Sequence, residues 1–173
     1  TPVLPQAREA TARTLELPGN PSSPHADGRK ARALLEEARR TIADCLGWRH
    51  DVILTSGASE AIQIACTRVK TGRRVIGATE HEAVVGAMGA GAIELAVDTN
   101  GLADLDALKA ALAEEPALVA IQLVNNETGV IQPLDGIYDV VCASGSLLLA
   151  DSAQGAGKIP LPDADFVAVT SQK

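Results

Sequence analysis

The sequence predicts an α/β fold in which a mostly parallel sheet carries helices on both faces. Three observations lead there. Short, almost wholly apolar runs such as residues 118–124 recur along the chain, stripes of apolar residues at spacings of three and four lie between them, and the two kinds of segment alternate. A strand without polar alternation has both faces buried, which is the condition inside a parallel sheet joined by crossover helices.

The elements follow in order. Ala31, Leu34, Leu35, Ala38, Ile42, Cys45 and Leu46 form the stripe of an amphipathic helix over 27–47, with Gly47 placed to end it. The run 52–54 predicts a short buried strand and 59–69 a helix; 75–78 predicts a strand, 83–88 a helix and 93–97 another strand. Asp104 can cap a helix carrying Leu105, Leu108 and Leu112. After the strand at 118–124, Leu134, Ile137, Tyr138 and Val141 mark a helix ending near Gly145, and 147–150 and 166–169 complete the strands.

With 173 residues, 46% of them hydrophobic, the chain can bury one core, and a single domain over 1–173 is expected. A net charge of −7, with no Lys/Arg block longer than a pair, argues against nucleic acid and anionic membrane surfaces as partners. No apolar run approaches the ~18 to 20 residues of a membrane span, and the first residues lack the order of a signal peptide. A soluble, cytoplasmic protein is the expectation. Cys45, Cys66 and Cys142 are odd in number and widely separated, which fits neither a disulfide framework nor a paired metal site. Each lies in a helical apolar pattern and is expected to be a buried small hydrophobe; no metal is expected.

In open parallel sheets, ligands sit beyond the carboxyl ends of the strands. At one such position Thr55-Ser56-Gly57-Ala58-Ser59-Glu60 leads into a helix, where the N–H groups of Ala58 and Ser59 and the Ser59 hydroxyl would suit a phosphate. The plainer reading is an N-cap. Thr79-Glu80-His81-Glu82 follows the strand at 75–78, where a histidine caps a helix more often than it catalyses. Asn125-Asn126-Glu127-Thr128-Gly129 is polar after a long apolar run, and its residues are turn formers. Asp151-Ser152-Ala153-Gln154 follows four apolar residues, so Asp151 must reach solvent or find a partner, and a cationic ring nitrogen would be one. Finally, 166–169 delivers Thr170-Ser171-Gln172-Lys173 to the same edge. Each signal is weak alone; their convergence points to a site.

Together with Gly19-Asn20-Pro21-Ser22-Ser23-Pro24-His25, these segments resemble, in order and spacing, the cysteine desulfurases of the class V aminotransferase superfamily. The resemblance covers essentially the whole chain, and Asn-Asn-Glu-Thr-Gly with Gly-Asn-Pro-Ser-Ser is its most specific part. It implies the large domain of a fold-type I enzyme dependent on pyridoxal 5'-phosphate (PLP), incomplete at both ends, with Thr1-Pro2-Val3 similar to the tail of the family's opening segment. Lys173 would bear the cofactor, Asp151 would pair with the ring nitrogen, and Gln154 and Asn126 would contact the side of the phenolic oxygen. His81 would stack on the ring and move protons, and Ala58, Ser59 and Thr170 would hold the phosphate. The catalytic pair would be Lys173 and His81.

Gln172 stands where the family usually has His. The family's persulfide-forming cysteine, substrate-binding arginine and small C-terminal domain lie beyond the equivalent of Lys173. The implied activity removes sulfur from L-cysteine or a related amino acid, giving L-alanine and an enzyme persulfide, in a homodimer serving a sulfur acceptor or scaffold protein in iron–sulfur cluster assembly. A selenocysteine lyase, an amino-acid aminotransferase or an inactive cofactor-binding fragment would share the same cofactor residues. A dinucleotide-binding oxidoreductase is disfavoured, because no Gly-x-Gly-x-x-Gly joins a strand to a helix.

Overall fold

The computed structural model describes residues 2–171, which form two compact units, 2–54 and 55–171. The first is helical. Helix α1 (Pro5–Leu15) begins with a proline where no N–H is needed, and none of its residues is buried. The apolar periodicity did not mark it, because there is no buried stripe to mark.

Helix α2 (Ala26–Leu46) occupies the predicted position and ends at Gly47. His25 opens it, its Nδ1 accepting the N–H of Gly28 at 3.1 Å. The preceding Gly-Asn-Pro-Ser-Ser string folds into a turn in which the Asn20 side chain accepts the Ser22 N–H and the Asn20 carbonyl accepts the Ser23 N–H, both at 2.9 Å. Gly28 is required there, since a Cβ would run into the carbonyl oxygens of Ser23 and Asn20. Of the expected α2 stripe, Cys45 is exposed and Leu35, Ile42 and Leu46 are only half-buried. The strand expected at 52–54 does not form: Ile53 is 72% exposed, and no ladder partner lies beside the segment among the described residues.

The second unit is a five-stranded sheet of β1 (Arg73–Gly77), β2 (Ile93–Leu95), β3 (Ala117–Gln122), β4 (Leu147–Asp151) and β5 (Phe166–Ala168). Its order is β2-β1-β3-β4-β5 and every pairing is parallel. Helices α3 (Ala58–Arg68) and α4 (Glu82–Met88) cover one face, α5 (Leu105–Ala111) and α6 (Leu134–Ala143) the other. All six residues of β3 are buried, so it is the central strand. The two-residue period divides its side chains: Leu118 and Ala120 pack with Ile62 and Val84, while Val119 and Ile121 pack with Leu108, Ile137 and Val141.

Asp104 caps α5 as expected, its carboxylate accepting the N–H groups of Asp106 and Ala107. Cys66 lies buried on α3, where burial pushes its thiol up, whereas Cys142 is exposed on α6. The expectation of three buried cysteines therefore fails at Cys45 and Cys142, which lie on helices but outside the buried stripe. No described helix is long and apolar enough to cross a membrane.

Candidate functional site

Because the strands are parallel, the segments that follow them leave the sheet at one edge. Thr79, Glu80 and His81 follow β1, Asn125 and Asn126 follow β3, Asp151 ends β4 and leads to Gln154, and Thr170 follows β5. Helix α3 runs the opposite way. Its last turn meets the start of β1, where an Arg74 guanidinium N–H is donated to the Cys66 carbonyl at 3.0 Å, so Ala58 and Ser59 at its first turn face the exit edge.

Each segment is locally fixed. His81 caps α4, its Nδ1 accepting the Ala83 N–H at 3.2 Å, which leaves Nε2 as the nitrogen that carries the proton in the neutral ring. Asn125 organises the polar loop: its Oδ1 accepts the N–H groups of Glu127 and Thr128 and the Thr128 hydroxyl, while its Nδ2 donates to the Thr79 carbonyl at 3.2 Å. This is the turn that the residue types predicted, and it leaves Asn126 exposed. The Gln122 side chain donates to Thr79 Oγ1 at 2.9 Å, tying the ends of β3 and β1.

Asp151 is half-buried, and its Oδ1 accepts the Ala153 N–H at 3.0 Å. Burial raises its carboxyl above the usual range, opposed by the Ala153 hydrogen bond and by the charge of His81. A desolvated carboxylate gains most from a fixed cation. Gln154 is half-exposed in the turns that follow, Thr170 is half-buried, and Ser59 is exposed at the α3 N-terminus. Gln172 and Lys173 lie outside the described residues.

The donor set fits PLP. Asp151 offers a desolvated anion for a protonated ring nitrogen, and the first turn of α3 offers backbone N–H groups that have no partner within the helix, as a phosphate requires. Sequence reasoning missed Glu80, whose Oε1 accepts the Gln122 N–H at 2.8 Å and whose Oε2 is sealed from solvent. Burial, reinforced by the charge of Asp151 and opposed by the Gln122 N–H, pushes its carboxyl up to about 8. The one local signal was an acid three residues beyond the end of β1, on the exit segment that also carries His81.

The aminotransferase class V family model matches residues 1–173. A cysteine desulfurase of Frankia sp. (strain EuIK1) is 35% identical over 183 residues, an alignment that takes in 93% of this chain and 44% of that protein. Among solved structures, a NifS-like protein from Rickettsia africae ESF-5 superposes with a TM-score of 0.91 at 30% identity, over 98% of this chain and 51% of that one. SspA in complex with cysteine superposes with a TM-score of 0.81 at 26% identity, over 98% and 54%. The chain thus spans about half the length of these relatives.

Proposed function

Since this chain belongs to the class V aminotransferase family, we propose that it forms the cofactor-holding portion of a PLP-dependent cysteine desulfurase. One observation carries the cofactor reading: a carboxylate at the end of β4, Asp151, raised by burial and placed at the sheet edge where the other strand exits converge. The choice of L-cysteine is supported by the kinship with a protein named for that activity and with SspA, whose structure contains cysteine.

PLP, when bound, supplies the electron sink for bonds broken at the substrate's α-carbon. Asp151 keeps the ring nitrogen protonated by charge pairing. Ala58 and Ser59 hold the phosphate through the α3 N-terminus, with Thr170 beside them. Asn126 and Gln154 bind the phenolic side of the ring. His81 would cover the ring face and could hold or move a proton at Nε2, its Nδ1 being engaged by Ala83. Lys173 would provide the amine that holds the cofactor, and would have to be neutral to do so. The whole protein would be a cytoplasmic homodimer that passes persulfide sulfur to an acceptor or scaffold protein, as iron–sulfur cluster assembly requires.

The test is product analysis. The PLP-loaded full-length protein, given L-cysteine and a thiol reductant, is expected to release alanine and sulfide in equal amounts. Amino-group transfer to a keto acid without sulfide release would contradict the proposal.

A further inference from the structure

Glu80 has no part in the roles given above, yet it is the most closely held acid at the sheet edge. Its Oε1 accepts the Gln122 N–H at 2.8 Å, 42 residues along the chain, while Oε2 is shut off from solvent with no hydrogen-bond partner among the described residues. The floor beneath it is cut to fit: a Cβ on Gly77 would stand 2.8 Å from Glu80 Oε1. Gln122 is in turn the ladder partner of Asp151. An ionised carboxylate with one oxygen neither solvated nor hydrogen-bonded is costly to bury, and a neutral acid much less so. Two acids sharing one small region do not both ionise readily, so the better sealed one keeps its proton.

We infer that Glu80 enters the site as a neutral acid and acts as a positioning residue, holding the exits of β1 and β3 together through Gln122 and leaving Asp151 to carry the negative charge toward the cofactor. The charged neighbours agree with this division. Asp151, from β4, acts on Glu80 as a like charge, whereas His81, at the start of α4, acts on Asp151 as an opposite one; Gln122 and Thr79 are neutral. The neutral state of Glu80 stands apart from the PLP reading; the role left to Asp151 and the affinity readout of positioning rest on it.

The experiment is infrared spectroscopy of the full-length protein without cofactor at pH 7, with and without carbon-13 labelling of glutamate, to detect the carbonyl stretch of a protonated carboxyl. The expected band moves on glutamate labelling, is missing in Glu80→Gln, and persists in Asp151→Asn, where it titrates away at lower pH because the like charge has gone. A band that ignores the label, or no band at pH 7, overturns the inference. If Glu80→Gln does not fold, the labelled parent and Asp151→Asn decide it by the same criteria.

Absorbance titration with PLP supplies the positioning readout. Glu80→Gln, which keeps an acceptor for Gln122, should bind PLP about tenfold more tightly than Glu80→Ala, the effect of about one net hydrogen bond; equal affinities overturn the positioning role. Failure of PLP to bind the parent would sink the cofactor reading, while the infrared result still decides the state of Glu80.

Discussion

Gln122 stands opposite Asp151 in the parallel ladder of β3 and β4, and the same residue donates its backbone N–H to Glu80 Oε1 at 2.8 Å. Three neighbouring strand ends are thereby linked through one residue, and two acids are held at one edge of the sheet. The two differ in their burial and in the charges that act on them: Asp151 has the Ala153 N–H and the charge of His81 in favour of its ionised form, whereas for Glu80 the Gln122 N–H favours ionisation but deeper burial and the charge of Asp151 oppose it.

The first prediction is a pH dependence of stability. Glu80 has its carboxyl raised from 4.5 to about 8 on folding. Between those values the folded protein holds a proton that the unfolded chain has released, so stability is greatest below the lower value and falls as pH rises through the window. The slope approaches 1.4 kcal/mol per pH unit for one proton, by linkage. Asp151, also raised, adds to the fall at the acid end in the cofactor-free protein. Urea midpoints measured from pH 5 to pH 8 should decrease in the parent and flatten in Glu80→Gln. A midpoint that rises over this range would contradict the burial of Glu80.

Gly77→Ala tests the close fit under that carboxyl. The added methyl would stand 2.8 Å from Glu80 Oε1, and overpacking of this kind costs about 1–3 kcal/mol. In a Glu80→Ala background the cost should largely vanish, giving a coupling of at least about 0.5 kcal/mol in a double-mutant cycle. Additive effects would mean that the two positions do not press on each other.

How much of this was legible beforehand depends on whether the signal is local. Strand β3 and its crossover partners were readable because a fully buried strand must be apolar throughout, as residues 118–121 are. Helix α2 was readable from its stripe and from Gly47. Helix α1 was not, because with no buried residue it leaves no stripe. The segment 52–54 is apolar like a strand, but a strand needs a ladder partner, which three residues cannot announce. Cys45 and Cys142 misled because a helix only 3.6 residues per turn places a residue outside the stripe with a small change of angle. Asp151 and His81 could be named from their positions after apolar runs, whereas the state of Glu80 is set by its burial in the folded chain and by the charge of Asp151, 71 residues further along.

Asp151→Asn separates charge from shape. Asparagine can still accept the Ala153 N–H, which Asp151 accepts at 3.0 Å, so the fold should be retained. An amide cannot neutralise a pyridinium, and loss of a charge-assisted pair should lower turnover about a hundredfold or more, roughly 3 kcal/mol of barrier. Steady-state kinetics on the PLP-loaded full-length protein would show this as a loss of kcat. Turnover close to that of the parent would remove Asp151 from its assigned role.

The residue that bears the cofactor decides the site assignment as a whole. Lys173 comes three residues after Thr170 in the sequence, and the nearest other lysine along the chain, Lys158, is exposed after Gly157 in the turn that follows Asp151. Borohydride reduction of the PLP-saturated full-length protein, followed by peptide mass mapping, places the adduct on a single residue. A pyridoxyl group on Lys173 is the expected result; an adduct on Lys158, or none at all, would overturn the site assignment.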